Sequence, residues 1–233
     1  MKNARSMGGV FICLISLKID KMSIIQNYLK IRSEIPDHVK IVAASKTRSA
    51  KEISKLIDAG CTDIGENYVQ EAEEKYHELG KDAKKLRWHL IGHLQKNKAK
   101  RALEIFDVIQ SVDSLEIAKE INRRAQKQVV VYVEVNIGDE KTKSGVKPGE
   151  VKNLIEEIAQ LENLRVTGLM TIEPYSKNPE DSRIYFRKMK ILFDEIQNLK
   201  TLSMGMSGSY KAAIEEGSNM VRIGSKIFGQ REY

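Results

Sequence analysis

Residues 41–52 read Ile41-Val42-Ala43-Ala44-Ser45-Lys46-Thr47-Arg48-Ser49-Ala50-Lys51-Glu52. An unbroken run of small and β-branched apolar residues suits a strand buried on both faces, and this run stops at a lysine. Beyond it, Arg48 to Glu52 opens a pattern of helical period, so the stretch is one strand-then-helix unit. The alternation recurs along the chain. Strand-like runs lie at 41–45, 63–65, 87–90, 108–111, 129–136, 165–170, 201–204 and 220–223. Helical patterns follow them at 50–59, 69–79, 95–105, 115–126, 148–160, 181–199, 210–216 and 224–228, and one more, at 24–35, precedes the first strand. Repeated β-then-α units mean parallel strands with crossover helices, and eight of them in 233 residues favour a closed (β/α)8 barrel over an open doubly wound sheet. No Pro/Gly/Ser-rich linker and no short internal repeat divides the chain, so residues 22–233 read as one domain.

Composition agrees with a globular protein. Hydrophobic residues make up 41%, enough for a real core, and Gly and Pro are too few for a disordered chain. Cys13 and Cys61 make no disulfide framework, and no Cys/His group has zinc spacing, so a reducing, cytoplasmic compartment is the default expectation. Residues 1–21 differ from the rest. Gly8 to Leu17 is apolar and flanked by charge, too short to span a bilayer and without a small-residue cleavage site. Met22 followed by Ser23-Ile24-Ile25 makes a good helix start with Ser23 as N-cap. Met22 is therefore the expected true start, with residues 1–21 an extension outside the fold. The net charge is +7, and Lys2, Arg5, Lys18 and Lys21 against Asp20 place +3 of it in that extension. The remaining +4 is too mild to argue for nucleic acid, and the basic run Lys96 to Arg101 lacks interleaved stacking aromatics.

A barrel carries its active face at the C-terminal ends of its strands. The residues there are Lys46, Glu66-Asn67, His89, Ser111, Asn136, Met170-Thr171, Ser207 and Gly224, mostly polar or small. Two readings fit Lys46: a strand cap reaching for solvent, or an amine held beside a buried interior for carbonyl chemistry. An unperturbed lysine has a pKa of about 10.4, so only roughly one in a thousand or fewer is neutral at pH 7. Desolvation and a neighbouring cation lower that pKa, and imine formation uses the neutral amine. Near the end of the chain, Ser203-Met204-Gly205-Met206-Ser207-Gly208-Ser209 and Met220-Val221-Arg222-Ile223-Gly224-Ser225 each break from a strand into Gly/Ser and then a helix. Small residues at helix N-termini admit a phosphate to free N–H groups, and the same residues also serve as ordinary caps. In a barrel these are the loops after strands seven and eight, where phosphate sites recur. His89 and His93 have metal-pair spacing but begin in a strand and have no evident third ligand, so His89 reads as a pocket or core hydrogen-bonding group. The charged loop 139–145 reads as a solvated turn or a flap, and Tyr175 and Tyr185 as packing residues. No Walker A motif and no Gly-x-Gly-x-x-Gly is present to support a nucleotide fold.

These residues together resemble the pyridoxal phosphate homeostasis proteins, single-domain relatives of the alanine racemase barrel. The resemblance is carried by Val42-Ala-Ala-Ser-Lys46-Thr47, Gly65-Glu-Asn67-Tyr-Val-Gln-Glu71, His89-Leu-Ile-Gly-His-Leu-Gln95-Lys-Asn-Lys98, Val135-Asn-Ile137, Lys143-Ser-Gly145, Gly168-Leu-Met170-Thr171, Ser203-Met-Gly-Met-Ser207 and Val221-Arg-Ile-Gly224-Ser-Lys-Ile-Phe-Gly229. It runs from about Met22 to the C-terminus in the family's order. It implies that Lys46 forms the internal aldimine with pyridoxal 5′-phosphate (PLP). It further implies that Ser207, Gly224 and Ser225 hold the phosphate, that Arg222 faces the pyridine nitrogen, and that Asn67 and Met170 line the cofactor. No metal site is implied. An arginine at the ring nitrogen keeps it unprotonated and weakens the electron sink. One departure stands in the phosphate loop: many members have an acidic residue where this chain has Ser209.

The resemblance implies an intracellular carrier that holds PLP and buffers it, or delivers it to apo-enzymes or free amines, with no membrane or nucleic-acid partner. The alternative is a low-activity PLP-dependent amino-acid racemase, and a third reading is a class I aldolase-type barrel. Racemisation needs a base on each face of the substrate carbon. The β-domain that gives alanine racemases a tyrosine base is missing here, and Ile172 stands where they have a histidine. The missing β-domain also favours a monomer.

Overall fold

The structure is a computed structural model and describes residues 23–230. The expected Met22 start and the extension 1–21 lie outside the described residues. Helix α1 (Ile24–Glu34) opens on Ser23, whose side chain accepts from the Gln26 N–H while the Gln26 side chain accepts from the Ser23 N–H. Eight strands follow, each with its helix: β1 (Lys40–Ala44), α2 (Ala50–Asp58), β2 (Asp63–Glu66), α3 (Val69–Leu79), β3 (Arg87–Leu90), α4 (Ala99–Ile105), β4 (Val108–Val112), α5 (Leu115–Arg124), β5 (Val129–Glu134), α6 (Val151–Ile158), β6 (Leu164–Met170), α7 (Arg183–Asp194), β7 (Thr201–Ser203), α8 (Tyr210–Glu215), β8 (Met220–Ile223) and α9 (Ser225–Phe228). All neighbouring pairs are parallel, and β8 returns to β1, closing the barrel. The expected (β/α)8 architecture with an added N-terminal helix is the one observed.

The period of two along each strand divides the interior into two zones. Ile41, Ala43, Ile64, Trp88, Leu90, Ile109, Val131, Val133, Leu169, Leu202, Val221 and Ile223 share one large apolar cluster with the helices, including Ile53, Leu56, Ala72, Ile121 and Ile158. The alternate positions form a smaller cluster of Val42, Val108, Tyr132, Met170 and Met220. Polar residues also stand at these alternate positions: Asp63, His89, Gln110, Ser203 and Arg222, all buried. A strand buried on both faces accounts for the near-continuous apolar runs in the sequence.

Several element ends differ from the sequence expectation, those around α7 and β5 among them. The sixth-strand connection to α7 includes a 3-10 turn, Pro179–Ser182, so α7 itself starts at Arg183. That helix ends by Asp194 rather than near 199, and the chain reverses through Asn198 in the left-handed region. Strand β5 stops at Glu134 because Val135 bridges Val146 in the following loop. That bridge requires Gly145, at φ +109, where a Cβ would lie 2.5 Å from the Asn136 nitrogen.

The helix-facing cluster supplies most of the apolar burial. Ile53→Ala is therefore expected to cost about 2–5 kcal/mol in urea unfolding, whereas Ile184→Ala, on the exposed face of α7, should change stability by no more than about 0.5 kcal/mol.

Candidate functional site

The strands' C-terminal ends surround a cavity of about 500 Å³. Lys46, Asn67, Ser207, Arg222, Gly224 and Ser225, separated by up to 179 positions in the chain, all line it. Met170 does not line it. Its side chain is fully buried beneath, packed with Val42, Val108, Tyr132 and Met220 inside the barrel.

Lys46 sits on a turn that is held from both sides. Just before it, the Ser45 hydroxyl donates to the buried Glu66 carboxylate, and the Ser45 carbonyl accepts from Lys75 Nζ at 2.8 Å. Just after it, the Thr47 N–H donates to Glu71. Lys75 Nζ completes the group, reaching Glu66 Oε1 at 2.7 Å and Glu71 Oε1 at 2.6 Å. Thr47 has φ +67, an uncommon conformation for a β-branched residue, and its N–H bond to Glu71 holds it there. Burial pushes the Glu66 carboxyl up, and Lys75 opposes it. Helix α3 thus locks the backbone on each side of the lysine, and α2 starts directly after it on a Ser49–Glu52 capping box.

In the same cavity, the loops after β7 and β8 are tied together, and the Gly224 turn lies beside β1, where a Cβ would stand 3.2 Å from the Ala44 carbonyl oxygen. Ser207 Oγ accepts from the N–H of Gly224 at 3.1 Å and of Lys226 at 3.4 Å. Its own hydroxyl hydrogen has no protein acceptor among the described residues, and neither do the N–H groups of Ser207, Gly208 and Ser225. A Cβ added at Gly208 would meet no protein atom within 4 Å, so this backbone faces open cavity. A hydroxyl and several unsatisfied N–H groups at one end of a cavity suit a phosphate-like anion. Ser209, at the family's acidic position, accepts from the Met206 N–H and donates to Glu173. The carboxylate beside this loop comes from the sixth-strand loop instead.

Arg222 enters from the barrel floor. Its Nη1 donates to the Ser203 carbonyl and hydroxyl at 2.8 Å each, and its Nη2 donates to the Thr171 carbonyl at 2.6 Å. Glu134 is buried at the end of β5. Its carboxyl is pushed up to about 7 by burial, Asp113 adding to the effect and Arg222 opposing it. Asn67 is set by a close approach: a Cβ at Gly92 would lie 2.4 Å from the Asn67 carbonyl oxygen, so only glycine lets the two loops meet.

His89 and His93 do not share a site. His89 lies inside the barrel against Asp63 and Gln110, whereas His93 is half exposed and faces Asp113 at 3.5 Å. Among the described residues no three His, Cys, Asp or Glu side chains gather as a metal site. The sequence reading missed Glu173, Lys143, Arg48 and Tyr175 as lining residues. Lys143 reaches in from the charged loop, with Nζ 3.2 Å from the Glu173 carbonyl and 2.6 Å from Glu140. Arg48 bridges to the Gly229 carbonyl at 2.7 Å. A charged residue three positions beyond the sixth strand was the available signal for Glu173. The pairing of α3 with the Lys46 turn left none, since Lys75 reads as one charge on an amphipathic helix.

Comparison with known proteins agrees with this architecture. Residues 19–232 match the family described as alanine racemase, N-terminal domain. The chain is 46% identical over 202 residues to the pyridoxal phosphate homeostasis protein of Aquifex aeolicus, covering 83% of this chain and 88% of that one. It is 40% identical over 209 residues to the protein of the same name from Escherichia coli K12, covering 85% and 88%. Among solved structures, PipY of Synechococcus elongatus with PLP bound superposes with a TM-score of 0.82 at 33% identity, covering 88% of this chain and all of that one. Alanine racemase of Clostridium difficile shares the fold, with a TM-score of 0.72 at 20% identity over 91% of this chain and 57% of its own.

Two outcomes follow from the buried charges. Lys75→Met strands the Glu66 carboxylate in the interior and should cost about 3–5 kcal/mol in urea unfolding, with Glu66→Leu/Lys75→Met recovering part of it. Glu134 keeps a proton in the folded state that the unfolded chain has already released between its ordinary 4.5 and about 7, so its contribution to stability declines as pH rises through that window. Glu134→Gln should therefore gain on the order of 1–3 kcal/mol over the parent at pH 8 and much less at pH 5, read from urea midpoints at the two pH values.

Proposed function

The chain belongs to the alanine racemase N-terminal domain family and, within it, to the pyridoxal phosphate homeostasis proteins, and on that premise we propose that it binds PLP to buffer or deliver the cofactor inside the cell. The observation that carries this reading is that Lys46 and the paired loops at Ser207 and Gly224–Ser225 line one cavity. PLP supplies an aldehyde carbon to which a lysine amine adds reversibly, a phosphate and a ring nitrogen. The residues fit each part. Lys46 is the amine, on a turn whose backbone is held by Glu71 and Lys75. Ser207, Gly208 and Ser225 offer N–H groups to the phosphate, beside an open surface at Gly208. Arg222 lines the cavity with donors only, which suits an unprotonated ring nitrogen. Asn67 flanks the same space, and Met170 acts from beneath as packing under the floor.

Carriage rather than racemisation is supported by Ile172, an apolar lining residue where racemases use histidine. A carrier needs one reversible bond and a mouth open enough for exchange, and it needs no second base. Apo forms of PLP enzymes are the expected recipients, as transient partners of a monomer in the cytoplasm. No helix among the described residues is long and apolar enough to cross a membrane.

Borohydride reduction of the protein incubated with PLP, followed by peptide mapping, tests the reading. Label is expected on Lys46, and Lys46→Ala should lose the absorbance of bound PLP and at least about tenfold in affinity. Label distributed over surface lysines, with unchanged affinity in Lys46→Ala, would overturn it.

A further inference from the structure

Five buried polar side chains on five different strands make one continuous chain of hydrogen bonds through the barrel. Arg222 Nη1 donates to Ser203 Oγ at 2.8 Å, and Ser203 Oγ donates to Gln110 Oε1 at 2.8 Å. Gln110 Nε2 lies 2.9 Å from His89 Nδ1, and His89 Nε2 lies 2.9 Å from Asp63 Oδ1. Donor and acceptor capacities give the chain one direction. A guanidinium only donates, so the Ser203 oxygen accepts from it and directs its own hydrogen to Gln110. The Gln110 carbonyl is thereby engaged, and its amide N–H turns to His89 Nδ1 and, at 3.4 Å, to Met220 Sδ. His89 Nδ1 is then a lone pair, and Nε2–H donates to Asp63. Burial holds His89 below its usual range against the pull of Asp63, which agrees with a neutral ring. Burial pushes Asp63 up, but hydrogen bonds from His89 and Thr62 outweigh it, leaving the carboxylate ionised.

The chain joins a cation at the cavity to an anion at the opposite end of β2. Among the described residues Arg222 has no carboxylate in hydrogen-bond contact, and Glu173 and Glu134 reach it only at longer range. Three of its five N–H hydrogens are taken by Ser203 and Thr171. The Nε–H and the second Nη2 hydrogen have no protein acceptor among the described residues, and Arg222 lines the cavity.

The geometry points to Gln110 and His89, anchored by Asp63, as positioning residues for Arg222: by fixing which guanidinium hydrogens are engaged inside the barrel, they fix which are presented to the ring nitrogen of the ligand. This inference rests on the PLP reading of the cavity. None of these three residues lines it. They act through Ser203, whose hydroxyl would otherwise be free to rotate and give up one of the two bonds that orient Nη1. A polarised chain that is fully satisfied holds a single arrangement, and breaking one link leaves buried groups without partners on both sides of the break.

The test separates positioning from folding by asking the protein to discriminate between two ligands. PLP and its 1-deaza analogue, with carbon in place of the ring nitrogen, share the aldehyde and the phosphate. The parent is expected to prefer PLP by roughly ten- to hundredfold, the range of a hydrogen bond from a charged donor. Gln110→Leu should reduce that preference to less than about threefold while both ligands still form a borohydride-reducible bond. Asp63→Asn, whose side-chain carbonyl can still accept from His89 Nε2–H, should retain most of the preference. An unchanged preference in Gln110→Leu, or a parent that does not discriminate, overturns the inference. A second measurement needs no change inside the barrel. With His38, His77 and His93 replaced by Gln, His89 is the one histidine left of four. Its 15N shifts at neutral pH should show Nδ1 unprotonated and Nε2 protonated, and the opposite tautomer overturns the inference even if Gln110→Leu does not fold. Should the parent bind neither ligand, the PLP reading fails, and the tautomer still tells whether the chain runs as described.

Discussion

The site depends on one buried ammonium. Lys75 Nζ reaches the Ser45 carbonyl, Glu66 and Glu71 together, and those partners hold the residues on each side of Lys46. A long side chain on a short turn would otherwise sample many rotamers, and ordering it has an entropic cost at the moment of binding. Here the backbone is ordered beforehand. The cost is met during folding, by taking Glu66 and Lys75 out of water, and that is stable only because each of the three charged groups has a partner. Thr47, held in a left-handed conformation, is the local sign of that constraint.

The same logic runs through the rest of the mouth. The barrel supplies rigid strand ends, and short loops of small residues bring backbone groups close enough to act together. Ser207 accepts from two N–H groups of the neighbouring loop, so the turns after β7 and β8 behave as one surface. Gly92 lets the second-strand loop approach until Asn67 flanks the cavity. Glu173, donated to by Ser209, sets a carboxylate beside this surface from a different strand than the resemblance implies. That placement leaves the Ser207 hydroxyl and the N–H groups of the loop for an anion.

Inside the barrel, polar and apolar residues share the inward positions. Tyr132, Met170 and Met220 pack beside the line of hydrogen bonds from Arg222 to Asp63. Apolar neighbours lower the local dielectric, which strengthens each bond in that line and makes any unpaired group costly. A guanidinium in such surroundings has little freedom, and its free hydrogens are aimed by the bonds it already makes.

The order of elements was legible in the residues themselves, because period-two and period-3.6 patterns are local and each strand-helix unit repeats them. The ends of β3 and β8 and of α3 fall where the sequence places them. Lys46, Asn67, Ser207 and Gly224 were legible as strand-end residues, since a barrel gathers such ends on one face, whereas Ser225 stood in the Gly/Ser break after the eighth strand and Arg222 was implied by the resemblance. What the chain alone did not decide was which side chains meet across the barrel. Met170 stands at a strand end, yet its inward phase buries it with Tyr132 instead of opening it to the cavity. His89 carries the spacing of a metal pair, yet closure of the sheet sets it between Asp63 and Gln110. Lys75 is one charge on a helix until α3 docks over the first turn and makes it the partner of Ser45. Local pattern determines the period and the order of elements, whereas contacts between residues 21 to 180 positions apart are settled only when the sheet closes and fixes their registers.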